Sequence, residues 1–453
     1  MRAFRRIIQI LAVLAATNAW LLFLSLGGGL PGTAVCLLLL AAFLCVNLWP
    51  VPKTAPTKRI HQLSVGCELL RLFLVTATVN AVWMLALLPS AIRQLHSAGY
   101  FSGLWMVMWI FNTFVIVLLE AVVFWNGMIR VYLTSVQLGL KHRVLAALCG
   151  WIPFLNIWYL TKIIRITAEE AEFETEKWEL DEVRAENEIC KTKYPILMVH
   201  GVFFRDFRYL NYWGRIPREL KRNGATVYYG QQQSAAAVED SGKELAARIR
   251  EILEETGCEK VNIIAHSKGG LDSRAAIAHC GMAPYVATLT TINTPHRGCI
   301  YAEYLLNKVP EAARQKVAAA YNAALKRLGD ENPDFLAAVT DLTESACLAR
   351  NETTPDMPGV VYESVMSYCK KAQHGKFPLN VTYPIVKHFD GKNDGLVSVE
   401  SAKWGTEFTL LEPERKRGIT HGDVVDLNRE NIPGFDVREF YVNLVADLKK
   451  RGY

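Results

Sequence analysis

Acidic residues are nearly missing from the first third of this 453-residue chain. Residues 1–165 hold two, Glu68 and Glu120, against thirteen Lys and Arg, a net charge of +11. The remainder carries 42 acidic against 37 basic residues, so the overall +6 hides a division. Nucleic acid does not account for the basic third, because its cations sit between apolar runs rather than in a stripe. The ten cysteines contain no CxxC pair, which excludes a zinc framework, and their scatter fits reduced thiols in a cytosolic domain better than a disulfide scaffold. With 51% hydrophobic and 21% charged residues, the chain is neither disordered nor collagen-like. Its length suits two or three domains.

Four apolar stretches of the first third, Ile7–Leu26, Leu30–Trp49, Cys67–Leu88 and Phe101–Gly127, reach the roughly 20 residues a helix needs to cross a bilayer. A signal peptide is the alternative reading of the first, but a span is expected, since no small-residue cleavage site follows it and three further spans do. Cations flank the first stretch (Arg2, Arg5, Arg6), the loop after the second (Lys53, Lys58, Arg59) and the end of the fourth (Arg130, Lys141, Arg143). The positive-inside rule then predicts an integral membrane protein of the cell membrane, with four spans and both ends cytoplasmic. Glu68 and Glu120 fall at or inside span ends, where carboxylates are functional candidates, but the sequence assigns them no role. A fifth segment, Val144–Leu160, is short, aromatic and broken by Gly150 and Pro153, and is expected to form a re-entrant or interfacial hairpin, the alternative being a full span that would put Lys162 and Arg165 outside. Residues 168–188, rich in Glu and without Gly or Pro, read as a solvated helical connector. The expected organisation is a membrane domain over 1–165, a linker over 166–190 and a soluble domain over 191–453.

From Tyr194 the pattern becomes short apolar runs alternating with amphipathic helices. Strands are predicted at Tyr194–His200, Ala225–Tyr229, Val261–Ala265, Val286–Ile292 and Thr382–Phe389. Ser241–Thr256 places Leu245, Ile249, Ile252 and Leu253 on one helical face, and Gly257 stops that helix. Such alternation predicts a mostly parallel sheet covered by helices.

Immediately after the third strand stands Ala265-His266-Ser267-Lys268-Gly269. A nucleophilic serine on a tight strand-to-helix turn needs small residues two before and two after it, and Ala265 and Gly269 supply them. Serine also needs a general base and the base an orienting carboxylate, in this architecture in the chain order Ser, acid, His. Asp394 and His421 fit that order, with Asp390 and Asp423 as rival acids and His374 and His388 as rival bases. The oxyanion hole calls for two backbone N–H groups, and Lys268 and Val202 are the candidates. His200, upstream of the serine, is expected to brace the loop.

These motifs resemble the Pseudomonas and Burkholderia type of bacterial true lipase, in the α/β-hydrolase superfamily. The likeness rests on YPILMVHG, Tyr212-Trp213-Gly214, GCEKVNIIAHSKGGLDSR, the stretch Thr290–Gly298, Asn393-Asp394-Gly-Leu-Val and His421-Gly-Asp423. It covers about half the chain and none of residues 1–190. It implies an α/β-hydrolase fold behind an all-α transmembrane domain, with Ser267 as nucleophile, Asp394 as acid, His421 as base and Val202 with Lys268 as oxyanion donors. It also implies a helical lid near residues 300–340, including Val309–Leu328, and leaves the chemistry without a required cofactor. Such lipases often hold a structural calcium. Asp423 matches one ligand, while Gln373–Val381 offers no clear match to the other. Lys268 departs from the residues usual after the nucleophile, and its ammonium is expected at the pocket mouth, favouring anionic headgroups. The function expected is hydrolysis of lipid acyl esters at a membrane. Acyl transfer to a lipid alcohol and a non-catalytic lipid-binding sensor or scaffold are the alternatives.

Overall fold

Residues Met1–Leu180 and Asp181–Tyr453 form two compact units. The computed structural model describes residues 2–52, 55–96, 100–152, 154–202, 211–327 and 329–453. Lys53, Pro153 and Leu328, which figure in the readings above, lie outside the described residues.

The first unit is helical: α1 (Arg2–Thr17), α2 (Ala19–Ser25), α3 (Gly29–Leu48), α4 (Lys58–His96), α5 (Tyr100–Thr134), α6 (Gly139–Cys149) and α7 (Leu155–Arg184, whose last turn belongs to the second unit). Three of these, α3, α4 over Lys58–Ser90 and α5 over Met106–Thr134, are long and apolar enough to cross a membrane. The first expected span is not one straight helix, because α1 and α2 meet at a 68° bend. Asn18 stands at the break, and its side-chain amide donates to the Leu14 carbonyl at 2.9 Å. Such local side-chain bonds compete with the helical ladder. The Val144–Leu160 segment is interrupted, with α6 ending at Cys149 and α7 beginning at Leu155.

Helix α7 then runs through the acidic stretch, and the connector is not simply solvated. Glu170 is buried and accepts from Arg59 Nη1 at 2.7 Å, Ser135 Oγ at 2.6 Å and the Val136 N–H at 3.0 Å. The boundary between units therefore falls at Leu180, within the stretch expected to be linker. The composition showed the glutamates, but not that one of them had a buried partner.

Leu38, Phe114, Val117 and Trp125 face outward from the first unit, while Thr76, Asn80, Asn112 and Glu120 are buried within it. Helices α4 and α5 approach closely at two glycines. A Cβ on Gly127 would lie 3.0 Å from Leu70 Cγ and 3.1 Å from the Gly66 carbonyl.

The second unit is built on a six-stranded parallel sheet of order β2-β1-β3-β4-β5-β6 among the described residues. In chain order its elements are β1 (Ile196–Val199), α8 (Ile216–Arg222), β2 (Val227–Tyr229), α9 (Val238–Thr256), β3 (Val261–His266), α10 (Lys268–His279), β4 (Val286–Ile292), α11 (Ile300–Lys308), α12 (Glu311–Arg327), α13 (Phe335–Thr340), α14 (Glu344–Thr353), β5 (Val361–Ser367), α15 (Leu379–Asp390), α16 (Val399–Ala402), β6 (Glu407–Leu411) and α17 (Val437–Lys450). Alternate residues of β1 feed two cores. Ile196 and Met198 pack with α8 and α17, whereas Leu197 and Val199 pack with α9 and α10. The face predicted for α9 is the buried one, and Gly257 closes the helix at φ 68°.

The strand expected at Thr382–Phe389 is instead part of helix α15. Its β-branched residues favour a strand, yet Tyr383 and Val386, three residues apart, are buried while Val381 and Ile385 are exposed, a helical pattern. The fifth and sixth strands are β5 and β6, and β6 went unrecognised because it is a partly exposed edge strand.

The Gly66–Gly127 contact leaves no room for a branched side chain. Gly127→Val should destabilise the full-length protein by about 1–3 kcal/mol, as overpacking generally does, which thermal unfolding in detergent would read. An unchanged unfolding midpoint would mean that the two helices do not meet there.

Candidate active site

Ser267 lies between the last residue of β3 and the first of α10, with φ 56° and ψ −131°. A non-glycine residue rarely adopts this region and holds it only when its surroundings over-determine it. They do so here. The Ser267 N–H donates to the Ile292 carbonyl at 2.9 Å, and the Ser267 carbonyl accepts from the Gly270 N–H at 3.1 Å and Thr294 Oγ1 at 2.8 Å. The turn also requires missing side chains. A Cβ on Gly201 would meet the Ser267 Cβ and the Tyr212 hydroxyl oxygen at 2.8 Å each, and one on Gly269 would collide with the His200 carbonyl. Ala265 is fully buried, so the alanine serves where glycine is commoner.

Asp394 and His421 come from separate loops, one between α15 and α16 and the other between β6 and α17. Their side chains meet, His421 Nδ1 lying 2.7 Å from Asp394 Oδ2. The His421 N–H also donates to the Asp394 carbonyl at 3.1 Å. Asp394 is fully buried, and its Oδ1 accepts the N–H groups of Leu396 and Val397 at 2.8 Å each. Asn293 Nδ2 donates to Oδ2 at 2.6 Å. Four hydrogen bonds thus hold the carboxylate, and among the described residues no Lys or Arg is paired to it, leaving its charge directed at the imidazole. The His421 ring lies 4.5 Å, centre to centre, from that of His266, the residue before Ser267.

Two of the rival residues, Asp390 and His388, have contacts of their own. Asp390 accepts the Ile300 and Tyr301 N–H groups at the start of α11, and His388 lies against Phe389. His200 contacts the Gly201 and Gln232 carbonyls through its two ring nitrogens at 2.8 and 3.0 Å, in keeping with the bracing role expected of it. Val202 follows Gly201 at the end of β1. Lys268 is the first residue of α10, where helical N–H groups lack intrahelical partners.

The Lys268 side chain is not at a pocket mouth. It is buried, with Nζ 2.6 Å from Asp272 Oδ1 and 3.1 Å from Ser241 Oγ. One helical turn separates Lys268 from Asp272, so the ammonium folds back along α10. Burial pushes the Asp272 carboxyl up to about 7, against the pull of Lys268. The earlier expectation overlooked that α9 supplies Ser241 alongside this pair.

Asp423 does not fit a calcium ion. Its Oδ2 accepts from the Thr420 N–H at 2.9 Å and from Thr420 Oγ1 at 2.6 Å, and Arg417 Nη2 lies 2.9 Å away. Arg417 Nη1 donates to the His374 carbonyl at 3.1 Å and the Gly418 carbonyl at 2.8 Å. A guanidinium therefore joins the His421 loop to the 373–381 stretch. Among the described residues no group of three acidic, His or Cys side chains is arranged to hold a metal.

Sequence reasoning passed over three contributors. Asn293, whose φ of 47° is one that Asn tolerates, tethers Asp394 and also donates to Ser367 Oγ at 2.7 Å. Tyr212 places its hydroxyl 2.5 Å from His266 Nδ1. Burial, and then His421, hold His266 well below the usual histidine range, so it stays neutral. Arg417 is the third. Only the positive-φ tolerance of Asn293 left a trace in the sequence.

A parallel sheet with a serine on a strained strand-to-helix turn, and a carboxylate–imidazole pair carried by later loops, defines an α/β-hydrolase fold. A family model described as "Putative serine esterase (DUF676)" matches residues 197–336. The triacylglycerol lipases of Pseudarthrobacter phenanthrenivorans and Burkholderia plantarii are each 34% identical over 177 residues, 36% of this chain and 54% and 49% of theirs. Triacylglycerol lipase 2 of Saccharomyces cerevisiae is 26% identical over 264 residues, 54% of this chain and 75% of its own. The chain thus spans about half the length of the two bacterial relatives. Among solved structures, a mature Bacillus licheniformis lipase gives a TM-score of 0.42 at 23% identity, covering 56% of this chain and 92% of that one.

Two predictions follow from the buried charges. Lys268→Met leaves Asp272 without its partner and should cost about 3–5 kcal/mol, whereas Lys268→Met with Asp272→Leu should recover part of that loss in denaturant titrations. No loss in the single variant would return the ammonium to solvent. Chelation by EDTA should leave the reactivity of Ser267 unchanged, while Arg417→Gln should destabilise the protein by about 3 kcal/mol. Reactivity that falls with EDTA and returns with calcium would contradict the role of Arg417.

Proposed function

We propose that the protein is a membrane-anchored serine ester hydrolase of the Pseudomonas and Burkholderia lipase type, acting on acyl esters of lipids. The observation that carries this reading is the 2.7 Å Asp394–His421 contact, set beside a serine held in a strained turn. Ser267 Oγ attacks the ester carbonyl as His421 takes its proton, and Asp394 stabilises the resulting imidazolium. The developing oxyanion accepts from the N–H groups of Val202 and Lys268. Collapse of the intermediate breaks the ester C–O bond, His421 protonates the departing alcohol, and an acyl-enzyme remains. Water, deprotonated by His421, attacks the acyl-enzyme and releases the fatty acid. A lipid alcohol in place of that water would give acyl transfer.

The outward apolar faces of α3, α4 and α5 support anchoring, and the distribution of cations supports a cytoplasmic position for the second unit. A membrane-held enzyme meets lipid substrates at high effective concentration. Helices α11 and α12 expose Tyr304, Leu305, Val317 and Tyr321, as suits a lid over an acyl pocket.

A fluorophosphonate probe should label the wild type in native membranes and leave Ser267→Ala unlabelled. Asp394→Asn should lower kcat on a short-chain ester by about 10⁴-fold. A folded wild type that resists the probe, with detergent present to open a lid, would overturn the reading in favour of a lipid-binding module. Product analysis with and without an added lipid alcohol separates hydrolysis from transfer.

A further inference from the structure

The first unit contains a line of buried polar side chains that ester hydrolysis does not use. Asn80 Nδ2 donates to Glu120 Oε1 at 2.9 Å, Asn18 Nδ2 to Asn80 Oδ1 at 3.0 Å, and Asn112 Nδ2 to Asn18 Oδ1 at 3.1 Å. Glu120, Asn80 and Asn112 are 4, 2 and 0% exposed. Asn112 and Glu120 stand two turns apart on α5, about 12 Å along its axis, so the line runs lengthwise through the bundle. One of its two inner members, Asn18, lies at the 68° break between α1 and α2. At the far end, Asn112 Oδ1 is buried without a partner among the described residues.

Among the described residues Glu120 has no counter-charge. Glu68 is paired with Arg6 and Arg71, and Glu170 with Arg59. Among the described residues only Thr76 and Asn80 bond to Glu120, from α4, and no charged group acts on it. A lone carboxylate in apolar surroundings costs several kcal/mol unless it is neutralised. The hydrogen bonds accommodate either protonation state. Thr76 Oγ1 lies 3.0 Å from both Glu120 Oε2 and the Leu72 carbonyl, and it has one proton to donate. With Glu120 neutral, its acid O–H donates to Thr76 and Thr76 donates to Leu72. When the acid gives its proton to water, the Thr76 hydroxyl turns towards Oε2. One hydroxyl rotation completes the exchange.

We propose that Glu120 is a reversible proton-binding site inside the first unit, at the inner end of the Asn112–Asn18–Asn80 line that passes the helix break. Ionisable side chains beside broken helices are the usual means of carrying protons and ions through membrane proteins. The site is independent of the hydrolase reading and stands or falls without it.

The test is infrared difference spectroscopy on the full-length protein in lipid nanodiscs, in H₂O and D₂O, from mildly acidic to mildly alkaline pH. The wild type should show a carboxylic acid carbonyl band that shifts in D₂O, disappears reversibly as pH rises and is missing from Glu120→Gln. Glu120→Asp, which keeps the acid, should move the same band and serves if the Gln variant does not fold. A band that persists at every pH marks a fixed structural acid and overturns the proposal. So does a carboxylate at every pH, which would indicate a bound metal cation, checked by exchanging sodium for potassium. A titrating band that neither variant alters belongs to another carboxyl and overturns the assignment to Glu120.

Discussion

The second unit is organised around keeping Ser267 in a backbone conformation that ordinary side chains avoid. The restraint comes from neighbouring strands and loops. Ile292, at the end of β4, fixes the serine N–H, Thr294 in the following loop fixes its carbonyl, and Gly201 after β1 lets the first strand approach. Each lies at the carboxyl end of a strand adjoining β3. The strain is therefore sustained by the parallel register of three strands, because that register brings the three strand ends level. The Asp394–His421 pair depends on the same framework, since Asn293, which tethers Asp394, immediately follows β4.

Buried charge is handled differently at neighbouring points of this unit. Among the described residues Asp394 is held, apart from the imidazole, by neutral donors, and so its charge remains available to the imidazole. Asp272 and Asp423 are closed by Lys268 and Arg417, and their charges are spent on holding α10 and the His421 loop in place. The distinction is one of partners, since all three carboxylates are buried. Buried ion pairs add little net stability, yet breaking one is costly. They therefore secure position more than energy, at the Ser267 turn and the His421 loop.

The first unit reverses the soluble arrangement. Its exposed faces are apolar and its interior holds Thr, Asn and Glu. An apolar exterior of this kind leaves close packing and interhelical hydrogen bonds to hold the helices together. The Gly66–Gly127 approach and the Asn–Glu line provide these two elements. The bend at Asn18 fits the same logic, because its side chain bonds the Leu14 carbonyl where the helix breaks.

Much of this was readable from local pattern. Strand–turn–helix order around Ser267 and the Ser, Asp, His sequence arise from neighbouring residues and chain order, and periodicity alone marked four of the strands, helix α9 and three apolar helices. Which side chains meet, near or far along the chain, was not readable, and it decided the rest. Lys268 turned inward because Asp272 and Ser241 receive it, and Asp423 faced Arg417 where a metal ligand was expected. Glu170 sank because Arg59, more than a hundred residues earlier, pairs with it, and Thr382–Phe389 became helix because its Tyr383 and Val386 found a buried side. A sequence records which groups are present and how they are spaced along the chain. Which of them meet is set by packing, whose energy depends on partners that local spacing does not reveal.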